Sequence, residues 1–463
     1  MKLKLDYSNL PSYMNDVPEV MRAFSPHIVI DNDAEDLVKL NVVEKEGEVY
    51  VEIISDKFGN SNGSFSIDAE FASLEYKRIA KREVKRLLYA YCNKLSGIDL
   101  PYGCLTGVRP TKLYYDLIGS YSNIKQYFID NFSVEPKRAE LIENVVLNQS
   151  GIYSIEDGEV DIFVNIPICP TRCRYCSFIS TEIGRVKRLV PSYVEAVLEE
   201  VIALKCRIAD EGLKVRSIYV GGGTPTSLTA DQLKTIIEPL SEYNVEFTVE
   251  AGRPDSITED KLKALADCCV TRISINPQTF KDQTLDILGR GHNTAQLYDA
   301  YELARKFKFD INMDLIAGLP GETFLDFKDS LTRAVALNPD NITVHTLSLK
   351  RGSTLTVEGA QKTMDGTIKE MTDFSIDFLT QNEYVPYYMY RQKNMADGLE
   401  NVGWCKKGKQ CTYNIDYMEE TTTVLSAGAG AMSKFVYHKD GRIERDCNAK
   451  GFEEYLRRKG KLI

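Results

Sequence analysis

The chain has 463 residues, with 57 Lys and Arg against 67 Asp and Glu, a formal net charge of −10, and 43% hydrophobic residues. That is the composition of a globular chain of roughly two to four domains. The acidic balance argues against broad electrostatic binding to nucleic acid, and no apolar run approaches the ~18–20 residues of a membrane-spanning helix.

The opening stretch, MKLKLDYSNLPSYMND, lacks the apolar core of a signal peptide. The eleven cysteines are therefore expected in a reducing cytoplasm, where a cluster of them points to metal or redox chemistry before disulfides. Residues 1–155 read as a separate α+β domain. Leu37–Ile54 alternates apolar and polar residues around Glu46-Gly47, the pattern of a hairpin. Phe71–Leu95 carries Leu74, Ile79, Ala80, Val84, Leu87, Leu88, Tyr91 and Leu95 at helical spacing, with Gly97 as its stop. The turn LTGVRPTKL, Leu105–Leu113, holds Arg109 and Lys112.

From about residue 156 to 355 the rhythm changes. Short β-rich runs recur at Ile162–Ile166, Ser217–Val220, Glu246–Glu250, Arg272–Ile275, Ile311–Ile316 and Ile342–Leu347. Amphipathic stretches lie between them: Pro191–Ala209, Asp231–Leu240, Glu259–Ala266, Thr294–Lys306 and Phe324–Ala336. This alternation predicts parallel strands with crossover helices, as a partial or full α/β barrel more than an open sheet, with chemistry at the C-terminal ends of the strands. Residues 356–463 read as a small C-terminal cap domain: a helix over Thr363–Thr380, an aromatic strand at Tyr384–Arg391, a small-residue run ending Thr421–Ala431, and a terminal helix at Asn448–Arg458.

The sharpest motif follows the first strand of the repeat. Cys169, Cys173 and Cys176 fall within eight residues, as CPTRCRYC. Three soft thiolates this close suit a metal. A structural zinc needs four ligands, usually as two separated pairs, and no fourth Cys or His lies nearby. A [4Fe–4S] cluster normally takes four cysteines; three leave one iron open to another ligand.

CxxxCxxC after the first strand of such a series, with an aromatic before the third Cys, resembles the radical S-adenosylmethionine superfamily. FVNIPICPTRCRYCSF, YVGGGTPT, TVEAG, RISINPQTF, LGRGH and MDLIAGLPGET resemble, in that order, the oxygen-independent coproporphyrinogen III oxidase and haem-chaperone group. The N-terminal region resembles its HemZ-type branch, the coproporphyrinogen dehydrogenases. The resemblance implies a (β/α)6 radical-SAM barrel, a [4Fe–4S] cluster on Cys169, Cys173 and Cys176, and one or two molecules of S-adenosylmethionine. It places Tyr175 near the adenine and Gly222, Gly223 and Thr224 at the methionine portion. It makes Glu250, Gln278, Arg290, Asp314, Ile316 and Ser348 further cofactor contacts.

The implied reaction is oxidative decarboxylation of two propionates of coproporphyrinogen III to vinyl groups, giving protoporphyrinogen IX. It begins when a 5′-deoxyadenosyl radical abstracts a β-hydrogen. An electron donor such as flavodoxin or ferredoxin would be required. The rival reading is a haem-binding chaperone of the same family, for which His345 or His438 could supply an axial ligand; a third is a radical enzyme acting on haem itself. The chain departs from the family pattern at Phe163, where Tyr is common, at Asn165, where His is common, and at Phe178, where the porphyrinogen enzymes carry a further Cys. Arg109 and Lys112 are candidates for recognising a tetra-acidic substrate. Cys405 and Cys411 form a weak candidate for a second redox or metal pair. Cys92, Cys104, Cys206, Cys268, Cys269 and Cys447 are expected to serve packing.

Overall fold

The computed structural model describes the chain apart from Pro26, Glu46, Val108, residues 349–352, 355–365 and 392–397, Asp440 and Ile463. It divides into two units: Met1–Glu143 with Arg391–Leu399, and Asn144–Tyr390 with Glu400–Ile463.

The first unit holds a five-stranded sheet of β1 (Lys2–Asp6), β2 (Val29–Ile30), β3 (Leu37–Lys45), β4 (Glu48–Ile54) and β5 (Ser61–Ser66), in the order β2-β1-β3-β4-β5. β3 and β4 form the hairpin expected from the alternation, in register from Lys39↔Ile54 to Lys45↔Glu48. Of its turn, Glu46 lies outside the described residues and Gly47 takes φ +86°. The long helix spans Leu74–Ser96, three residues later at its start than the apolar spacing suggested. Ser73 caps it by accepting from the backbone N–H of Tyr76, and Gly97 ends it in the left-handed region at φ 68°. Its stripe of Tyr76, Ala80, Val84, Leu88 and Cys92 is buried; each large apolar side chain so buried contributes ~1.5–3 kcal/mol before the cost of ordering it.

The second unit is built on the six predicted strands. They are β6 (Glu159–Ile166), β9 (Lys214–Gly222), β10 (Glu246–Gly252), β11 (Arg272–Ile275), β12 (Asp310–Ala317) and β13 (Asn341–Thr346). All run parallel in the order β13-β12-β11-β10-β9-β6. Two short strands, β7 (Ile168–Cys169) and β8 (Thr181–Glu182), pair with each other just beyond β6. Burial on both faces explains the near-continuous apolar runs: Ile162, Val164, Ile218, Val220, Val249, Ile273 and Ile311 are all sealed from solvent. Capping boxes start the crossover helices at Thr229/Gln232, Asn293/Gln296 and Thr323/Asp326.

The C-terminal residues extend this sheet at both ends. β14 (Val385–Arg391) and β15 (Glu400–Cys405) lie beyond β13, with β15 antiparallel to it. β16 (Thr423–Ala427) pairs parallel with β6, and β17 (Met432–Tyr437) and β18 (Arg442–Cys447) follow antiparallel. Among the described residues the sheet has eleven strands and two edges, an unclosed sheet consistent with a partial barrel. The helix expected at Thr363–Thr380 is described over Thr367–Gln381; residues 363–365 lie outside the described part.

Charged groups tie the N-terminal ends of β6 and β9 to the helix Thr412–Glu419. Arg216 donates to Asp416 Oδ2 at 2.8 Å and to Glu159 Oε2 at 2.9 Å. Asp161, fully buried, accepts from Ser217 Oγ at 2.6 Å and from the Thr422 hydroxyl. Burial, and then the charge of neighbouring Asp416, pushes the Asp161 carboxyl up from 3.8 to about 7. A carboxyl raised on folding binds its proton more tightly in the folded state. Its contribution is therefore fully present below about pH 4 and lost as the pH rises through about 7. Replacing it by a neutral amide, Asp161→Asn, should make the variant gain stability relative to the parent between pH 5 and 8 in urea denaturation. A pH-independent difference would show that Asp161 is ionised throughout.

Candidate functional site

β6 delivers the chain into the cysteine loop at the C-terminal end of the barrel. Cys169 lies on β7, where Thr224 Oγ1 donates to its Sγ at 3.7 Å. The backbone N–H of Cys176 donates to Cys173 O at 3.1 Å, which closes a turn around Tyr175. Two further bonds staple the loop to the segment before Arg290: Arg174 N–H to Leu288 O at 2.9 Å and Thr171 Oγ1 to Gly289 O at 3.3 Å. Burial raises the thiols of Cys169 and Cys176, the latter to about 11, and each feels the charge of the other cysteines of the loop. Cys173 is buried and lies 3.9 Å from a guanidinium nitrogen of Arg253 and from one of Arg290.

The glycine run after β9 packs against this loop. Gly222 sits at φ +101°, and a Cβ there would stand 1.8 Å from Asn165 Oδ1. A Cβ on Gly223 would stand 2.7 Å from both the N and the O of Ile168. Gly223 N–H donates to Ile166 O at 2.9 Å, and Thr224 N–H to Ile168 O at 2.8 Å. Asn165 in turn donates to Ala429 O at 2.5 Å, linking β6 to the turn after β16. The glycines thus let the end of β9 lie directly on the backbone that leads to Cys169.

The other expected site residues lie on β10 and β12 or in the segments that follow β11 and β13. Glu250, near the end of β10, accepts from Tyr219 OH at 2.6 Å. Burial pushes its carboxyl up to about 7, opposed by the Tyr219 hydrogen bond. Asp314 on β12 is held by Asn312 Nδ2 at 2.8 Å and lies 3.6 Å from His345 Nε2. Burial alone would raise Asp314, but these partners hold it below the usual carboxylate value. Gln278 takes φ +66° and bridges to β12 through Asp314 O at 2.8 Å and the N–H of Ile316 at 3.0 Å. Arg290 is buried; its Nη1 donates to Tyr175 OH at 2.8 Å and its Nη2 to Asn276 O at 2.7 Å. Ile316 packs with Leu288, Leu319, Tyr175 and Leu347.

These residues fit the expected groups. The side-chain oxygens Gln278 Oε1, Asn276 Oδ1 and Ser348 Oγ are buried with no hydrogen-bond partner, a costly arrangement unless a polar ligand completes them. Among the described residues no group of three His, Cys, Asp or Glu closes around a single ion. Thiolates on a four-iron cube each take a different iron and stand farther apart than the ligands of one zinc. All eleven cysteines are free; Cys405 and Cys411 lie in an apolar cluster with Tyr387, Tyr388 and Tyr413. Phe163 packs against the stacked rings of Tyr219 and Tyr413, with ring centroids 6.3 and 6.1 Å away. Phe178 is 67% exposed. Arg109 and Lys112 lie in the first unit, at the start of the helix Pro110–Leu117.

Sequence reasoning missed Tyr219 and Arg253. Tyr219 was hidden because a tyrosine in a strand reads as packing. Arg253 had a signal: a charged residue between Gly252 and Pro254 at a strand's C-terminal end.

A three-thiol loop at the C-terminal end of a partial parallel barrel defines the class, and comparison with known proteins agrees. The model of the radical SAM superfamily matches residues 165–334. The oxygen-independent coproporphyrinogen-III oxidase-like protein HemZ of Bacillus subtilis is 37% identical over 399 residues, covering 82% of this chain and 79% of its own length. The heme chaperone HemW of Haemophilus influenzae is 28% identical over 308 residues, covering 64% of this chain and 76% of its own. Among solved structures, coproporphyrinogen III oxidase (HemN) from Escherichia coli, a radical SAM enzyme, shares the fold with a TM-score of 0.52 at 21% identity, over 68% of this chain and 71% of that one. The chain belongs to the radical S-adenosylmethionine superfamily, in the group of HemZ-type, coproporphyrinogen-oxidase-like proteins. The cofactors of this family are a [4Fe–4S] cluster and S-adenosylmethionine. No helix among the described residues is long and apolar enough to cross a membrane.

If Glu250 contacts S-adenosylmethionine as a carboxylate, affinity for it should fall as the pH drops through about 7. Tyr219→Phe removes a bond that favours the ionised form, so the fall should move to higher pH. Calorimetric titration of cluster-loaded protein across pH 6–9 measures both; superimposable profiles would remove Glu250 from the site.

Proposed function

We propose that this protein is an oxygen-independent coproporphyrinogen III dehydrogenase, which converts two propionates of coproporphyrinogen III to vinyl groups and yields protoporphyrinogen IX. The observation that carries this reading is the meeting, at one end of the barrel, of a three-thiol loop with two carboxylates and three unpartnered buried oxygens. The name of the 37% identical relative supports the porphyrinogen substrate.

Cys169, Cys173 and Cys176 would hold the cluster. When bound, the cluster and S-adenosylmethionine supply the one-electron chemistry that starts hydrogen abstraction. The protein's part is to bind, orient and shield. The backbone of Gly222, Gly223 and Thr224 would meet the methionine portion, and Glu250 and Asp314 would accept from its polar groups. Asp314 is suited to this as a fixed anion, because His345 and Asn312 hold it ionised. Gln278, Arg290 and Ser348 would line the same cavity, with Tyr175 and Ile316 as its apolar wall. Leu288, Leu319 and Leu347 pack behind that wall and keep water from it. No side chain needs to act as a general base. An electron donor of the flavodoxin or ferredoxin class would reduce the cluster, and an electron acceptor would take up the electron released with carbon dioxide as each vinyl group forms.

The second reading is a haem chaperone, favoured by the similarity to HemW and by Phe178 in place of the further Cys. Each of the two candidate axial histidines has one ring nitrogen engaged. His345 Nε2 faces Asp314 at 3.6 Å, and His438 Nε2 is bonded to Thr421 O at 2.8 Å. Anaerobic incubation of the reduced, cluster-loaded protein with coproporphyrinogen III and S-adenosylmethionine tests the proposal. Protoporphyrinogen IX should form together with 5′-deoxyadenosine; stoichiometric haem binding without turnover would establish the chaperone instead. Cys173→Ser should lose the cluster's visible absorbance and all turnover, and retention of a full cluster would refute its assignment as a ligand.

A further inference from the structure

Arg253 occupies an unusual place for a charge. It is 3% exposed and stands one residue beyond β10. Its guanidinium is held on two sides. Nε and Nη2 donate to Asp255 Oδ1 and Oδ2 at 2.8 and 2.7 Å, a two-point pairing that fixes the plane of the group. Nη1 donates to Thr171 Oγ1 at 2.9 Å, inside the cysteine loop. The same nitrogen lies 3.9 Å from Cys173 Sγ, within reach of an N–H···S contact. Gly291 leaves room for the pair: a Cβ there would meet Arg253 Nη2 at 2.9 Å and Asp255 Oδ2 at 3.2 Å. Arg290 presents a second guanidinium nitrogen to the same sulfur, also at 3.9 Å. Among the described bonds, Cys173 receives two guanidinium donors, whereas Cys169 receives a neutral hydroxyl from Thr224.

Burying an arginine is costly unless it is paired and every donor is used. The Asp255 carboxylate, kept below its usual value against burial by Arg253, supplies the pairing. It does not explain why Nη1 turns towards the loop. Hydrogen bonds and positive charge at a cluster thiolate stabilise the reduced, more negative cluster over the oxidised one. A clamped guanidinium does this with no reorganisation when the electron arrives.

We propose that Arg253, fixed by Asp255 and Thr171, is a positioning residue that sets the reduction potential of the cluster through the Cys173 thiolate and makes it easier to reduce. This rests on Cys173 being a cluster ligand. The role is additional to any contact with S-adenosylmethionine, and it acts through the sulfur.

The test is a potentiometric titration of the reconstituted full-length protein, followed by the electron paramagnetic resonance signal of the reduced cluster, with iron content measured in parallel. Arg253→Gln keeps a polar side chain and removes the charge. At a fixed poise near the parent's midpoint, its ratio of reduced to oxidised cluster should fall about tenfold, equivalent to a midpoint about 59 mV lower for a one-electron couple. Arg253→Lys keeps the charge but cannot serve Asp255, Thr171 and the sulfur together, so it should show a smaller fall. A parent midpoint in Arg253→Gln at full iron content overturns the role of Arg253. If Arg253→Gln assembles no cluster, Arg253→Lys is the deciding variant, and a parent midpoint there overturns it equally. A parent protein that assembles no four-iron cluster would overturn the cluster assignment itself, which distinguishes that failure from the failure of Arg253's role.

Discussion

The site depends on one close approach, that of the end of β9 to the end of β6. The parallel register brings Asn165 beside Gly221 and Ile166 beside Gly222. The loop that leaves Ile166 must then lie against the chain that leaves Gly222. Any side chain at 222 or 223 would fill the space of Asn165 or of the Ile168 backbone. With glycine at both positions, Gly223 and Thr224 bond to Ile166 and Ile168, and the Thr224 hydroxyl reaches Cys169. The placement of the first thiol is thus a consequence of strand register and two missing Cβ atoms.

The two ends of the sheet handle buried polarity differently. At the N-terminal ends of β6 and β9, Glu159, Asp161 and Asp416 each have charged or hydroxyl partners, and the network welds β6, β9 and β16 to the helix Thr412–Glu419. At the C-terminal ends, Glu250 and Asp314 have partners, but Gln278 Oε1, Asn276 Oδ1 and Ser348 Oγ do not. Buried oxygens without partners destabilise a fold by ~1–3 kcal/mol each. Three such oxygens beside the cysteine loop are a place where a polar ligand would be stabilising.

The departures from the family pattern have local physical sense. Phe163 sits opposite Tyr219 in the β6–β9 register. A hydroxyl is still present at this level of the barrel, carried by Tyr219 and spent on Glu250. Asn165 directs its amide nitrogen to Ala429 O and so helps join β16 to the barrel. These two residues therefore serve the scaffold in this chain.

What the sequence determined by itself was the order and kind of the elements. Parallel strands buried on both faces leave continuous apolar runs, helices leave their caps, and both are local patterns. Arg272–Ile275 and Phe324–Ala336 were legible to the residue. The three cysteines were equally legible, because their spacing within one loop is itself local. Only the tertiary structure decided that the C-terminal residues join the same sheet, since pairing of β16 with β6 joins segments more than 250 residues apart and leaves no mark on either. It alone put Arg253 beside Cys173, 80 residues away in sequence. An arginine's role depends on what its guanidinium reaches, and that is set by strand register and loop packing, which no single segment encodes.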